Sequence, residues 1–194
     1  MSELFAELVT EADLQRRVSE LAEEITADYE DRDPVLVGVL HGSLPFLADL
    51  CRQLKFSLST DFLALTRFGE QGRVGVAMDT LHPLENRHVL LVEDIVDTGL
   101  TLTTLRRLLE ARRPASLQVV TLLDKSARRI TDVELEYRGF EVGDEFLLGY
   151  GLDWEGRFRN VRSLWAVLDI GRFQDDPDLF AREVFGKGSD RLNP

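Results

Sequence analysis

Glu93, Asp94 and Asp97 fall within five consecutive positions, directly after the apolar run Val89-Leu90-Leu91-Val92 and just ahead of Thr98, Gly99 and Thr101. Three carboxylates so close together repel one another, an arrangement that stability alone does not favour. A helix start explains two of these residues, because carboxylates and hydroxyls suit a helix N-terminus. That explanation covers Asp97 and Thr98 but leaves Glu93-Asp94, at the end of an apolar strand, without a reason. A binding site accounts for all of them. Thr98, Gly99 and Thr101 offer small hydroxyls and free amides ahead of a helix, which suits a phosphate. Adjacent carboxylates suit the paired hydroxyls of a ribose, or a hard cation such as Mg²⁺. The segment is no Walker loop, since G-x-x-x-x-G-K-[ST] is absent. Nor does it fit a receiver domain, whose acidic residues stand near the start of the chain; Asp124 also follows too soon to be its phospho-acceptor.

The elements that must position these residues can be read from periodicity. Glu11 to Tyr29 carries Leu14, Val18, Leu21, Ala22 and Ile25 at helical spacing, with Thr10 and Asp13 forming a capping-box-like start. Val35 to Leu40 is a continuous apolar run, as expected of a strand covered on both faces. His41-Gly42-Ser43 makes a turn, and Leu44 to Leu54 reads as a helix. Leu58 to Leu65 and Val89 to Val92 read as strands, Thr101 to Arg113 as a helix, and Leu117 to Leu123 as the next strand. Such alternation predicts an α/β fold with a parallel sheet, and ligands of such sheets bind at the carboxyl ends of strands. Val133 to Tyr137, Phe146 to Gly149 and Leu164 to Leu168 read as further strands and a small appended subdomain. Residues Arg67 to Glu85, punctuated by Gly69, Gly72 and Gly75, read as a loop, either mobile or functional. From Gly171 the tail is charged, with a short helix after Pro177 carrying Leu179, Phe180, Val184 and Phe185. The residues leave open whether it makes an oligomer contact or frays. The expected organisation is one domain over 1–170 and a C-terminal extension over 171–194.

Composition narrows the function classes. The 194 residues suffice for a real core, and 44% hydrophobic with 30% charged residues is the balance of a soluble globular protein. No apolar run reaches the length of a membrane span, and the N-terminus lacks the pattern of a signal peptide. The single cysteine, Cys51, fits a reducing cytosol, and its helical flanks make it a buried small hydrophobe rather than a nucleophile. A cytoplasmic protein is therefore expected. The net charge of −12 disfavours nucleic-acid binding and requires any anionic ligand to be held by local devices.

The segment VLLVEDIVDTGLTL resembles the phosphoribosyl-diphosphate-binding motif of the type I phosphoribosyltransferases, in the form found in hypoxanthine-guanine phosphoribosyltransferases. The likeness runs from about Val9 to Leu168 through LVGVLHGSLPFLADL, TLLDKSARR, YRGFEVGDEFLLGYGLD and RFRN, in the family's order. The resemblance implies a central, mostly parallel sheet flanked by helices, with a small hood subdomain. It also implies a reaction in which a 6-oxopurine displaces pyrophosphate from Mg²⁺-bound phosphoribosyl diphosphate, and assembly as a homodimer or homotetramer. Carried over residue by residue, Glu93 and Asp94 match the acidic pair that binds the ribose hydroxyls and metal. Asp97 matches the general acid or base beside purine N7. Asp97, Thr98, Gly99, Leu100 and Thr101 match the 5′-phosphate loop. Lys125 matches the donor to the purine 6-oxo group, although a lysine after a strand is commonly a solvated end. Phe146 matches the aromatic that stacks on the base, although taken alone it reads as a core strand residue. Leu147 matches a backbone contact to the base edge, Asp153 a metal-binding carboxylate by the purine, and Arg159 an arginine on pyrophosphate, where a planar fork suits phosphate oxygens. Arg129, beside Arg128, aligns with a further cation there.

Two departures stand out. The pyrophosphate loop Leu40-His41-Gly42-Ser43 has histidine where the family usually has lysine or arginine, and histidine's charge near neutral pH is not permanent. Gly42 and Ser43 still offer amides, and the resemblance carries over a cis peptide at Leu40-His41. In place of the usual Ser-Tyr of the mobile catalytic loop stands Thr66-Arg67-Phe68-Gly69, in which Arg67 offers a cation that could compensate for His41. These departures support an alternative of another class, a nucleotide-sensing regulator with weak or altered activity. A transferase for a different base is the third reading.

Overall fold

A computed structural model of the chain describes residues 4–68 and 73–186. The chain forms two compact units, Gln15–Asp144 and Met1–Leu14 joined with Glu145–Pro194.

The larger unit holds a six-stranded sheet. Its strands are β2 (Val35–Leu40), β3 (Ser59–Phe68), β4 (Arg73–Met78), β5 (His88–Val96), β6 (Ser116–Asp124) and β7 (Tyr137–Glu141), in the order β4-β3-β2-β5-β6-β7. All neighbouring pairs are parallel except β3 with β4. Helices α1 (Glu11–Tyr29), α2 (Leu44–Gln53) and α3 (Leu100–Glu110) alternate with the strands. After β2 the chain winds towards β3; after β5 it winds the other way, towards β6. The carboxyl ends of β2 and β5 therefore face the point where the winding reverses, the place where open α/β sheets form a crevice.

Strand alternation sorts the core. Val35, Val37 and Val39 of β2 and Val89 and Leu91 of β5 share one face, where they pack in a single cluster with Leu102, Leu105 and Leu109 of α3. Leu36, Leu90 and Val92, on the opposite face, are also buried. Burial on both faces is why these strands read as continuous apolar runs. The capping box of α1 forms as expected: Asp13 N–H donates to Thr10 Oγ1 at 3.2 Å, and the hydroxyl donates to Asp13 Oδ2 at 2.8 Å.

The second unit is a three-stranded antiparallel sheet in the order β1-β9-β8, made of β1 (Phe5–Val9), β8 (Phe146–Leu148) and β9 (Leu164–Val167). Two helices follow, α4 (Ile170–Asp175) and α5 (Asp178–Phe185). Aromatic rings fill the space between these elements. Phe180 of α5 lies 5.0 Å from Phe5, 5.1 Å from Phe158 and 5.9 Å from Trp165, centroid to centroid. Phe173 of α4 lies 5.2 Å from Trp154 and 6.0 Å from Phe5.

Several expectations need correcting. Val133 to Tyr137 is not a strand; it leads into β7, which starts at Tyr137, and Val133 and Leu135 instead pack against the core from a connecting segment. Much of the 67–85 region read as loop is ordered: β3 runs to Phe68 and pairs with β4 as a hairpin. Gly69 and Gly72 lie outside the described residues, as do the side chains of Arg67 and Phe68. Cys51 is partly exposed rather than buried, its thiol directed at the Ala48 carbonyl of its own helix. No helix among the described residues is long and apolar enough to cross a membrane.

Phe173 has no exposed surface and touches four other rings. Phe173→Ala is therefore expected to cost about 3–5 kcal/mol of the stability of this unit, the usual range for deleting a buried aromatic. Urea melts followed by tryptophan fluorescence measure this; an unchanged midpoint contradicts the packing described.

Candidate active site

β5 has neighbours of unequal reach. β2 accompanies it from Val89 to Val92, whereas β6 stays with it from His88 to Val96. Glu93 to Val96 thus remain in the strand, held on one side only, and the expected strand end at Val92 is the point where β2 departs. Alternation then sends the two carboxylates to opposite faces. Glu93 follows Val89 and Leu91 to the buried face and is 5% exposed. Desolvation first, and the neighbouring Asp94 charge second, push its pKa well above the ordinary carboxyl range. Asp94 lies on the other face, half-buried, with Oδ1 accepting from Ile95 N–H at 2.8 Å.

The turn after β2 meets Asp94 from across the crevice. The Leu40–His41 peptide is cis. Ser43 is fully buried and donates its hydroxyl to Val39 O at 2.7 Å, and Pro45 occupies the first turn of α2. His41 is exposed and Gly42 is buried. A Cβ built on Gly42 would stand 1.5 Å from Asp94 Oδ2, so only glycine lets this backbone lie against the carboxylate. The structure thus brings His41, Gly42 and Asp94 to the mouth of one crevice.

The stretch from Asp97 to Thr101 turns from β5 into α3. Gly99, at φ 84°, takes the left-handed conformation in the N-cap position, and a Cβ there would approach Thr131 Oγ1 to 2.6 Å. Leu100 and Thr101 open the helix, whose first amides are directed outward. A second segment holds this turn. Thr98 O accepts from Ile130 N–H at 3.0 Å and from Thr131 N–H at 3.3 Å. Asp97 Oδ1 lies 2.7 Å from Arg128 Nε, and Arg128 also binds Asp144.

Lys125 is buried at 7% exposure, so the solvated strand end does not apply; its N–H extends the ladder to Val96 O at 3.0 Å. The buried Asp124 beside it binds Arg129, and Arg138 lies 3.0 Å from its other oxygen.

The remaining predicted residues belong to the second unit. Phe146 is partly exposed, set edge-on to Trp154 at 5.5 Å, while Leu147 is buried in β8. Asp153 and Arg159 are partners: Arg159 Nη2 is 2.7 Å from Asp153 Oδ1, and Gly156 N–H donates to Oδ2 at 2.7 Å. Arg159 also donates to Gly151 O at 2.6 Å. Sequence reasoning missed Arg128, Asp144 and Thr131 as parts of the first site. The Arg128-Arg129 doublet was the only signal, and it does not say which arginine faces which carboxylate.

Among the described residues no cluster of three or more His, Cys, Asp or Glu side chains is arranged to hold a metal. A Mg²⁺ ion, which keeps waters and uses one or two carboxylates together with substrate phosphates, does not need one.

Comparison with known proteins bears on this site. The Phosphoribosyl transferase domain family matches residues 7–155. The hypoxanthine-guanine phosphoribosyltransferase of Bacillus subtilis (strain 168) is 41% identical over 158 residues, 79% of this chain and 88% of that protein. The hypoxanthine phosphoribosyltransferase of Escherichia coli (strain K12) is 40% identical over 167 residues, 83% of this chain and 94% of that protein. A crystal structure of a hypoxanthine-guanine phosphoribosyltransferase from Bacillus anthracis superposes with a TM-score of 0.82 at 38% identity, covering 86% of this chain and all of that one.

Two outcomes test this geometry. Gly42→Ala forces the loop and Asp94 apart and is expected to cost about 1–3 kcal/mol, the range for overpacking. Pairing it with Asp94→Ala should recover most of that loss, and additive losses in urea melts would show that the two do not touch. The second concerns Glu93. Its folded-state pKa is raised, so the folded protein keeps a proton that the unfolded chain loses near pH ~4.3. Glu93 therefore contributes fully below that pH and progressively opposes folding as pH rises through the folded value. In chelator-treated protein, Glu93→Gln should be more stable than the parent at about pH 8 and indistinguishable from it at about pH 4.

Proposed function

Because the chain belongs to the phosphoribosyl transferase family, we propose that it moves the 5-phosphoribosyl group of phosphoribosyl diphosphate onto a 6-oxopurine, hypoxanthine or guanine, giving IMP or GMP and pyrophosphate. The observation that carries this reading is the crevice where β2 leaves β5. It joins the backbone of Gly42, the carboxylate of Asp94 and the start of α3.

In this reaction a purine nitrogen bonds to the anomeric carbon as the bond from that carbon to pyrophosphate breaks. Positive charge develops on the sugar, so stabilisation of that charge and of the departing pyrophosphate is what accelerates the step. The outward amides from Leu100 onward and the hydroxyls of Thr98 and Thr101 receive the 5′-phosphate. Asp94 accepts from the ribose hydroxyls, with Glu93 behind it. The backbone of His41-Gly42 receives the pyrophosphate. Asp97 takes the proton that the purine N7 sheds as the new bond forms, and Lys125 donates to the 6-oxo group, which disfavours adenine, itself a donor there. The roles of Phe146, Leu147 and Asp153 towards the purine, and of Arg159 towards pyrophosphate, rest on the family resemblance.

Mg²⁺ belongs to this reading. Asp94 is the carboxylate that would hold it; the family resemblance assigns it Glu93 and Asp153 as well, although β5 sends the side chain of Glu93 to the opposite face from Asp94. Bound there, such an ion would supply charge neutralisation to the diphosphate. Self-association as a homodimer or homotetramer and a cytoplasmic location also belong to the reading.

The test is nucleotide formation from phosphoribosyl diphosphate, Mg²⁺ and each of hypoxanthine, guanine, xanthine and adenine. Product with hypoxanthine or guanine is expected. No product with any base overturns the enzyme reading in favour of a sensor, and a preference for adenine overturns the role of Lys125. Asp97→Asn is expected to lower kcat by roughly 10²–10⁴-fold, the share general acid–base catalysis supplies, with smaller changes in KM.

A further inference from the structure

We propose that Arg128 is the positioning residue of Asp97: it occupies one carboxylate oxygen and so presents the other to the purine. The proposal rests on the reading of Asp97 as the group that exchanges the purine proton.

Four observations carry it. First, the two oxygens of Asp97 differ. Oδ1 is shut off from solvent and meets no hydrogen-bond donor among the described residues at good geometry, yet Arg128 Nε stands 2.7 Å away. The side chain as a whole is 45% exposed, and Oδ1 contributes none of that exposure. Second, the guanidinium is held at both ends. Its Nε faces Asp97 and its Nη1 binds Asp144, a clamp that a planar fork can span and an ammonium cannot. Third, the backbone registers the pair. Thr98, next to Asp97, receives the amides of Ile130 and Thr131, two and three residues after Arg128, and Thr103 Oγ1 meets Thr131 Oγ1 at 3.2 Å. Arg128 N–H itself donates to Lys125 O at 2.9 Å, closing the turn that follows β6. Fourth, the neighbouring arginine is not a substitute. Arg129 points to the buried Asp124, so the doublet divides into two separate tasks.

An exposed ion pair of this kind contributes little to stability. What the clamp contributes is direction. A carboxylate free to rotate about its Cβ–Cγ bond presents either oxygen at any angle, and misplacement of a proton acceptor is costly to rate even when binding is intact.

The experiment measures kcat and both KM values for the full chain with Mg²⁺, for Arg128→Ala, Arg128→Lys, Asp97→Asn and the Arg128→Ala/Asp97→Asn double variant. Arg128→Ala is expected to lower kcat roughly tenfold, with KM for both substrates nearly unchanged and the thermal midpoint near that of the parent. In the Asp97→Asn background the same change is expected to add no further loss, because Arg128 acts through Asp97. Unchanged kcat in Arg128→Ala, or an equal loss in both backgrounds, overturns the proposal. If the residual turnover of Asp97→Asn is too slow to follow, Arg128→Lys decides. Because an ammonium cannot span both carboxylates, lysine is expected to lower kcat nearly as far as alanine does, and full activity in Arg128→Lys overturns the proposal. Full activity in Asp97→Asn overturns the acid–base reading and the proposal together, so the two failures are distinguishable.

Discussion

β5 is flanked by β2 for four residues and by β6 for eight aligned positions, and the site depends on that mismatch. A buried central strand normally has its polar backbone satisfied on both sides. Where β2 departs, the edge of β5 is freed while β6 still holds the strand, so the side chains of Glu93 and Asp94 still alternate between its faces. Glu93 and Asp94 are consecutive and therefore cannot share an environment: one is dry and inclined to hold a proton, the other faces the turn at Gly42. Two like charges that sequence proximity would set against each other are thus divided between the faces of one strand.

The electrostatics of the larger unit follow from its excess of acid. The whole chain carries a net charge of −12, and arginines near the site in this unit are claimed by carboxylates: Arg128 by Asp97 and Asp144, Arg129 and Arg138 by Asp124. On the proposed reading, anion binding is left chiefly to backbone amides, whose charge is partial and fixed in direction. That explains the demand for glycine at two points. Gly42 permits close approach of backbone to carboxylate, and Gly99 supplies the left-handed turn that aims α3 at the crevice.

How much of this was legible in the sequence depends on the range of the interaction concerned. The extents of α1 and β2 follow from local periodicity and capping and were read to the residue. The α/β architecture followed from alternation of these patterns, and the candidate site was proposed from Glu93, Asp94, Asp97 and Gly99 standing in one short segment. The misreadings are of pairings and neighbours. β4 is short and marked by glycine, and becomes a strand only because β3 provides an edge for it. Val133 and Leu135 are apolar for the sake of the core, not of a strand. Arg128 and Arg129 look alike in sequence, and only the fold shows that they serve different carboxylates.

The smaller unit is assembled from the two ends of the described chain. Phe5 of β1 packs on Phe180 of α5, and β1 pairs with β9, while residues 15–144 form a continuous stretch. During synthesis the continuous unit can therefore condense while the remainder is still being translated, as N-terminal-first folding favours. β1 precedes this stretch in the chain and its partner β9 follows it, so β1 can pair only after residues 15–144 have been made. Phe5 and Val9, buried in the finished fold, stay without their strand partner for that whole interval, which makes β1 a segment that a chaperone would protect.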